Sequence, residues 1–444
     1  MKKGLLSLYC LSSILTASSQ TSATHTFHAN PEHTGVYESA VNTGNMLTEK
    51  WKFKTSGKIF SSPCIYNKTI FIGSEDGNLY AIDKKTGIQK WKFKTTGAVY
   101  SSPTINKNTV YFGSLDGYYY AVDITTGKQK WKFNTGGEKM IGGKGYGGMK
   151  PADLYMTDLW DYFISSPVVD TNAGDEIVYF GSSTGNVYAV SGKDGTLLWK
   201  FSTHGIIHTT PALHNGILYI GSWDNYLYAI DAKTGIEKWK FKTGDVAPMS
   251  GIQASVTIYE DKVYFGARDA FFYALNAKTG DLVWKYSAEG SWILSTAAVK
   301  DNKLYVGSSD TYLLLTLDAG TGKGLGRFKT CGYVYSSPAI NNDKVFFGDF
   351  TGKFYMLDPG NNKGVEFTTA DRNRYAKDIL KNDTLNFMYA SKGSDLSYYL
   401  PNKKVMDDFY KLGPIVSSPV IEDGVVYFGS ANGYLYALDF TKNK

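Results

Sequence analysis

The chain repeats itself, and that fact constrains its fold more than any other. Trp51-Lys52-Phe53-Lys54 leads through Ser61-Ser62-Pro63 to Ile70-Phe71-Ile72-Gly73-Ser74, then Asp76-Gly77, Leu79-Tyr80-Ala81-Ile82-Asp83, Thr86-Gly87 and Trp91. The next stretch runs through the same series: Ser101-Ser102-Pro103, Gly113-Ser114, Asp116-Gly117, Tyr120-Ala121-Val122-Asp123, Thr126-Gly127 and Trp131. The Ser-Ser-Pro position returns at 61, 101, 165, 209, 254, 295, 336 and 417, which makes eight units. Most steps are 40–45 residues; two are longer, at 64 and 81. Each unit holds four short runs of β-branched and aromatic residues. The Asp-Gly pair between two of these runs suits a tight hairpin, because glycine accepts positive φ, and Thr-Gly marks a second turn. Four antiparallel strands per unit at this period predict a propeller blade.

We letter the strands A (after Ser-Ser-Pro), B (Tyr-Phe-Gly-Ser), C (Leu-Tyr-Ala-Ile-Asp) and D (Trp-Lys-Phe). The last unit stops at Leu435-Tyr436-Ala437-Leu438-Asp439 with no tryptophan strand after it, whereas Trp51 precedes any Ser-Ser-Pro. Trp51–Thr55 is therefore expected to supply strand D of the eighth blade. The expectation is an all-β, eight-bladed propeller of four-stranded antiparallel blades, closed by its N-terminal strand so that no terminal sheet edge is left open. Composition agrees: 15% aromatic and 20% charged residues over 444 exclude general disorder, and three cysteines exclude a disulfide framework. The net charge of +6 is mild, and the lysines of the tryptophan strands read as a solvated strand face, not a phosphate-binding patch, so no nucleic-acid partner is expected.

Residues 1–23 read as a secretory signal peptide: a basic start, a short apolar run and small residues with cleavage after Ser19 or Ala23. Cys10 lies inside the apolar run and follows no lipobox, so no lipid anchor is expected. Residues 24–50 form an N-terminal arm and 51–444 the propeller, and no other run is long enough to cross a membrane. The expected location is periplasmic or secreted, and the expected state a monomer. His25, His28 and His33 in the arm are expected to be solvated, not metal-bound.

The recurring Ala-x-Asp-x-x-Thr-Gly-x-x-x-Trp, standing as Ala81, Asp83, Gly87 and Trp91 and again to Trp131, Trp239 and Trp284, resembles the tryptophan-docking signature of the PQQ-like (quinoprotein-like) propeller family. Asn276 replaces Asp before Trp284, and Ser191 stands in a weaker copy ending at Trp199. Within that family the chain resembles BamB-like outer-membrane assembly factors over residues 45–444. The resemblance implies a role in outer-membrane assembly, from which the missing lipobox departs.

The two long steps hold insertions at 136–164 and 369–416, both between strand D of one blade and strand A of the next. Both are expected on the same rim, with the B–C turns. The first is glycine-rich and ends in Leu159-Trp160-Asp161-Tyr162-Phe163, which reads as a loop anchored by aromatics; the second has helix-like spacing in 375–380 and 403–412. Long loops on a rigid scaffold are where recognition resides, although an insertion can also be merely tolerated. Positions that break the repeat point to the same rim. Blade 4 carries Trp223-Asp224 and blade 5 Arg268-Asp269 in their B–C turns, Trp292 precedes blade 6, and His208 stands where other units have Phe60, Tyr100 or Tyr335. Trp160, Asp161, His208, Trp223, Asp224, Arg268, Asp269 and Trp292 are the candidate ligand- or partner-binding residues. Trp223, Arg268 and Trp292 in particular suit a stacking, cation-binding mouth, or else they fill gaps between blades.

Haem attachment, EF-hand, zinc-protease and esterase motifs are absent, and serines recurring in unit after unit without a fixed His or acid partner read as structural. No catalytic residue, metal or cofactor is expected. Quinoproteins of the resembled class carry a vicinal cysteine pair and a calcium site; this chain has no vicinal cysteines, so PQQ is not supported. The leading expectation is an exported, non-catalytic scaffold that binds envelope proteins or a small-molecule or saccharide ligand. The alternative is a PQQ-dependent or sugar-linked oxidoreductase using the central funnel. Replacing Arg268 and Trp223 is expected to weaken binding without affecting folding.

Overall fold

The computed structural model describes residues 25–38, 43–171, 175–245 and 250–441. The signal-peptide segment lies outside the described residues.

Eight four-stranded antiparallel sheets are present. In blade 1, strands A to D are Cys64–Tyr66, Thr69–Gly73, Asn78–Asp83 and Gln89–Lys94, hydrogen-bonded in that order. Ring closure takes the expected form. Thr43–Lys54 pairs antiparallel with Tyr434–Thr441, with Trp51 opposite Ala437, and becomes strand D of blade 8.

Neighbouring blades are locked by the tryptophans of strand D. The indole Nε1 of Trp91 donates to Ile124 O at 3.2 Å, that of Trp199 to Ala232 O at 2.9 Å and that of Trp239 to Ala277 O at 3.1 Å, each carbonyl belonging to the next blade. The ring then lies flat on that blade's Thr-Gly turn. Gly235 has φ +72°, and a Cβ there would sit 2.7 Å from Trp199. Glycine is thus required twice over at this position, by its backbone and by the ring above it.

At the axis, the second residue of each Ser-Ser-Pro forms a belt of hydrogen bonds. Ser62 N donates to Ser102 Oγ at 2.9 Å, Ser102 N to Ser166 Oγ at 2.8 Å, Ser166 N to Thr210 Oγ1 at 3.1 Å and Thr210 N to Ser255 Oγ at 2.9 Å. Past a gap between Ser255 and Thr296 the series resumes with Thr296 N to Ser337 Oγ and Ser337 N to Ser418 Oγ, and Ser418 N donates to Ser62 Oγ at 2.9 Å. Strand A lines the axis, so its inner edge presents peptide groups that need partners. The N-terminal arm supplies them. Ile105 N donates to His25 O, Leu213 N to Pro31 O, Ile258 N to Glu32 O, Val299 N to Thr34 O and Ile340 N to Gly35 O, all at 2.7–2.9 Å. The same residue position of five blades is paired in this way.

Burial of the arm corrects the expectation of solvated histidines. His28 and His33 are 2% and 0% exposed. The His28 ring bonds His33 O and Pro338 O, both at 2.7 Å, and His33 Nδ1 bonds Val256 O at 2.8 Å. Burial pushes the pKa of His33 down to about 3, and that of His28 also falls because of burial. Burial favours the neutral ring at both positions; at His28, where each ring nitrogen faces a carbonyl, a neutral ring donates to one of the two.

Both insertions sit at the opposite end of the axis. The second folds into α1 (Ala370–Ile379), α2 (Phe387–Ala390) and α3 (Tyr399–Tyr410). Thr369 caps α1 by accepting from Arg372 N at 3.3 Å. The first is more ordered than the expected loop: Gly142–Lys144 pairs with Tyr155–Thr157 as a hairpin. A Cβ on Gly142 would lie 2.3 Å from Met156 O, so glycine at this position permits the close strand approach.

Candidate functional site

The two insertions meet and form one cap. Lys150 N donates to Ser397 O at 2.9 Å, Tyr399 N returns to Lys150 O at 3.1 Å, and Thr157 Oγ1 and Tyr399 OH are 2.9 Å apart. Beneath them a single apolar cluster joins the cap to the blades: Tyr162 from the first insertion, Val405, Met406 and Phe409 from α3, and Phe60, Tyr335 and Phe350 from the propeller rim. Burying these large side chains holds the cap down, at roughly 1.5–3 kcal/mol for each side chain fully withdrawn from water.

The candidate residues divide into two groups under this cap. Arg268 is completely buried, with its guanidinium carbon 4.4 Å from the ring centroids of both Trp223 and Trp292. The slot between the two indoles, expected to accept a ligand's cation, is filled by the protein's own arginine. Arg268 Nη1 lies 2.5 Å from Asp158 Oδ2, an ion contact by distance whose angle is outside hydrogen-bond geometry. Its Nε and Nη2 donate to Gln253 Oε1 at 2.9 and 2.6 Å. Gln253 Nε2 in turn donates to Trp160 O at 3.0 Å, and the Trp160 ring meets Trp292 edge-on at 6.1 Å. Burial pushes the Asp158 carboxyl up, and the guanidinium opposes that shift. A buried arginine with one carboxylate and one amide is a packing and orienting element. The expectation that its loss leaves folding unchanged is therefore corrected, because Asp158 would be stranded in the interior.

His208 and Asp161 form the second group. His208 Nδ1 is 2.9 Å from Asp161 Oδ1, and both side chains are fully buried. Its Nε2 lies 2.9 Å from Ser183 Oγ and 3.1 Å from Lys139 O. Ser183, His208 and Asp161 thus have the spacing of a hydrolytic triad. The chemistry differs: Ser183 Oγ donates to Glu138 Oε2 at 2.7 Å, and a carbonyl beside Nε2 asks that nitrogen to donate. Burial disfavours the charged ring, but Asp161, Glu138 and the Lys139 carbonyl outweigh it, and the pKa of His208 rises above its usual value. The residue is an imidazolium clasp that ties the first insertion to blades 3 and 4.

Asp224 and Asp269 do not join either group. Each ties a strand-C tyrosine of its own blade to the connection arriving from the preceding blade, as Asp76 and Asp116 do. Asp224 accepts from His204 N at 3.0 Å and Tyr228 OH at 2.7 Å; Asp269 accepts from Gly244 N at 2.7 Å and Tyr273 OH at 2.5 Å. Sequence reasoning missed Asp158, Gln253, Glu138 and Ser183. Gln253 did carry a signal, since it holds the same repeat position as His208, and these two are polar where the other units have Phe60, Tyr100, Ile164, Leu294, Tyr335 and Val416. Asp158 and Glu138 lie in an insertion with no repeat register to violate.

Between arm and cap the axis keeps a cavity of about 30 Å³, lined by Phe27, Tyr100, His208, Gln253 and the serine belt. Six large apolar side chains on the cap, Leu154, Tyr155, Met388, Tyr389, Tyr398 and Leu400, are 42–71% exposed, set among exposed charged residues such as Lys150, Lys392 and Lys403.

Solved structures share this architecture. BamB from Moraxella catarrhalis superposes with a TM-score of 0.63 at 14% identity, over 89% of this chain and all of that one. The computationally designed Ika8 protein gives 0.62 at 15% identity, over 90% and 100%. Quinohemoprotein alcohol dehydrogenase from Comamonas testosteroni gives 0.68 at 12% identity, over 94% and 81%. At these identities the likeness is one of fold. No curated protein matches the chain in sequence. Residues 35–144, 157–291 and 268–374 match the family described as outer membrane protein assembly factor BamB, and with most of its length so matched the chain belongs to that family.

Proposed function

We propose that the protein is a non-catalytic scaffold of the bacterial envelope that docks a protein partner through its cap. One observation carries this reading: the axis is occupied at both ends by the chain itself, by the arm at one and the insertions at the other. What is left for recognition is an outer face, and on the cap that face carries exposed apolar and aromatic side chains among charged ones. Family membership and the BamB neighbour support the same class of role. No helix among the described residues is long and apolar enough to cross a membrane. The reading of residues 1–23 as a secretory signal supports a periplasmic or secreted location.

The oxidoreductase neighbour raises the alternative of a quinone in the funnel. The residues here do not fit one. Small-molecule pockets run to about 300–1,000 Å³, against about 30 Å³ at this axis. Cys64 and Cys331 are free thiols on separate blades, not a vicinal pair.

Photo-crosslinking in intact cells tests the docking face. A crosslinker at Leu400 or Tyr155 is expected to capture a discrete envelope protein, and one at Lys193 on the opposite rim is not. Equal capture from both rims, or none from the cap, contradicts the proposal.

A further inference from the structure

In each blade, strand A lies at the axis and strand D closes the sheet on the outside. The eight D strands together therefore form the side wall of the cylinder. They carry sixteen lysines and arginines against three glutamates. That is a net of +13 on the wall of a chain whose total is +6, so the rest of the chain sums to −7. Exposed strand edges are commonly guarded by charge, but either sign serves that purpose. A positive excess on seven of the eight D strands asks for a further reason.

Ten of the sixteen, including Lys92, Lys132, Lys200 and Lys285, make no ion pair with a carboxylate among the described residues. The wall is therefore not neutralised by its own neighbours. We infer that it is a binding track for an extended acidic polysaccharide. The shape chooses among anionic partners. A flat lipid surface touches only the few blades facing it, whereas a flexible chain can follow the lysines from one blade to the next. Nucleic-acid tracks combine cations with open aromatic platforms for the bases. Here the aromatic rings beside the lysines are covered by them: Lys54 stands 4.3 Å over Tyr434, Lys132 4.1 Å over Tyr118 and Lys285 4.5 Å over Phe271. A polymer of sugar acids needs the charges and not the rings.

The test uses the full mature chain with polygalacturonate as probe and neutral dextran as control. Replacing Lys92, Lys94, Lys130 and Lys132 by Gln is expected to weaken binding roughly tenfold and to flatten its salt dependence, and replacing the same four by Arg to preserve both. The charge-matched quadruple Gln variant of Lys107, Lys193, Lys233 and Lys278, on the turns of the rim opposite the cap, is expected to bind as the parent does. Unchanged melting temperatures verify that all variants fold. The inference is overturned if both Gln quadruples weaken binding equally, if neither does, or if anionic phosphatidylglycerol vesicles or a single-stranded oligonucleotide bind more tightly than the polysaccharide.

Discussion

Nδ1 of His208 lies 2.9 Å from Oδ1 of Asp161, with neither side chain reached by solvent. This pair fastens the first insertion to the propeller, and its strength depends on a proton. Because the pKa of His208 in the fold is above its ordinary 6.5, the clasp contributes fully below that value and loses its contribution as pH rises through the folded pKa. The melting temperature of the parent is expected to fall as pH rises above 6.5, while His208→Gln is less stable at low pH and flat across the same range. A parent curve parallel to that of the variant would show that the pair carries no charge.

The arm responds in the opposite direction. His33 has a folded pKa of about 3, so its contribution is whole above its ordinary 6.5 and drains away as pH falls toward 3. Hydrogen exchange at Ile258 and Val299, whose amides the arm satisfies, is expected to accelerate between pH 6.5 and 4 relative to amides inside strands B and C. Uniform exchange over the sheet would contradict this account of the arm.

Arg268→Ala is expected to destabilise the protein by about 3–5 kcal/mol, since it leaves the Asp158 carboxylate buried without its cation. The double variant Arg268→Met with Asp158→Asn is expected to recover much of that loss. Thermal denaturation of the two variants measures both; a stable Arg268→Ala would return the residue to the role of a free binding group.

Ala270 occupies the place that glycine holds in most B–C turns, at φ +67°. A Cβ in that region costs roughly 1–2 kcal/mol. Ala270→Gly is expected to stabilise by about 1 kcal/mol, and Gly235→Ala, with a ring 2.7 Å from the new Cβ, to destabilise by more than that. Chemical denaturation distinguishes the two signs.

The repeat made the ring legible, because each Trp, Thr-Gly and Ser-Ser-Pro meets the same neighbour in the next blade. Even strand D of blade 8 was readable from where Trp51 falls. His208, Arg268, Trp223 and Trp292 stand out in the sequence because they break the repeat, yet their partners were not readable. Arg268 looks like a ligand-binding cation until Asp158 is seen beside it, and only three-dimensional closure of an insertion without register brings Asp158 there. Asp224 and Asp269 were misplaced for the opposite reason: they follow the rule, and the unusual residues beside them drew attention to them. The arm was unreadable because its partners are backbone amides of five blades, which leave no mark in side-chain sequence.

The claim on which the account rests is that the axis is closed and the cap is the working face. Native mass spectrometry with absorption spectroscopy on protein purified from its own envelope tests it most directly. The account predicts the bare mass of the mature chain, no visible chromophore, and a protein complex that Tyr398→Ser with Leu400→Ser dissolves without lowering the melting temperature. A stoichiometric quinone bound to the purified chain would contradict it.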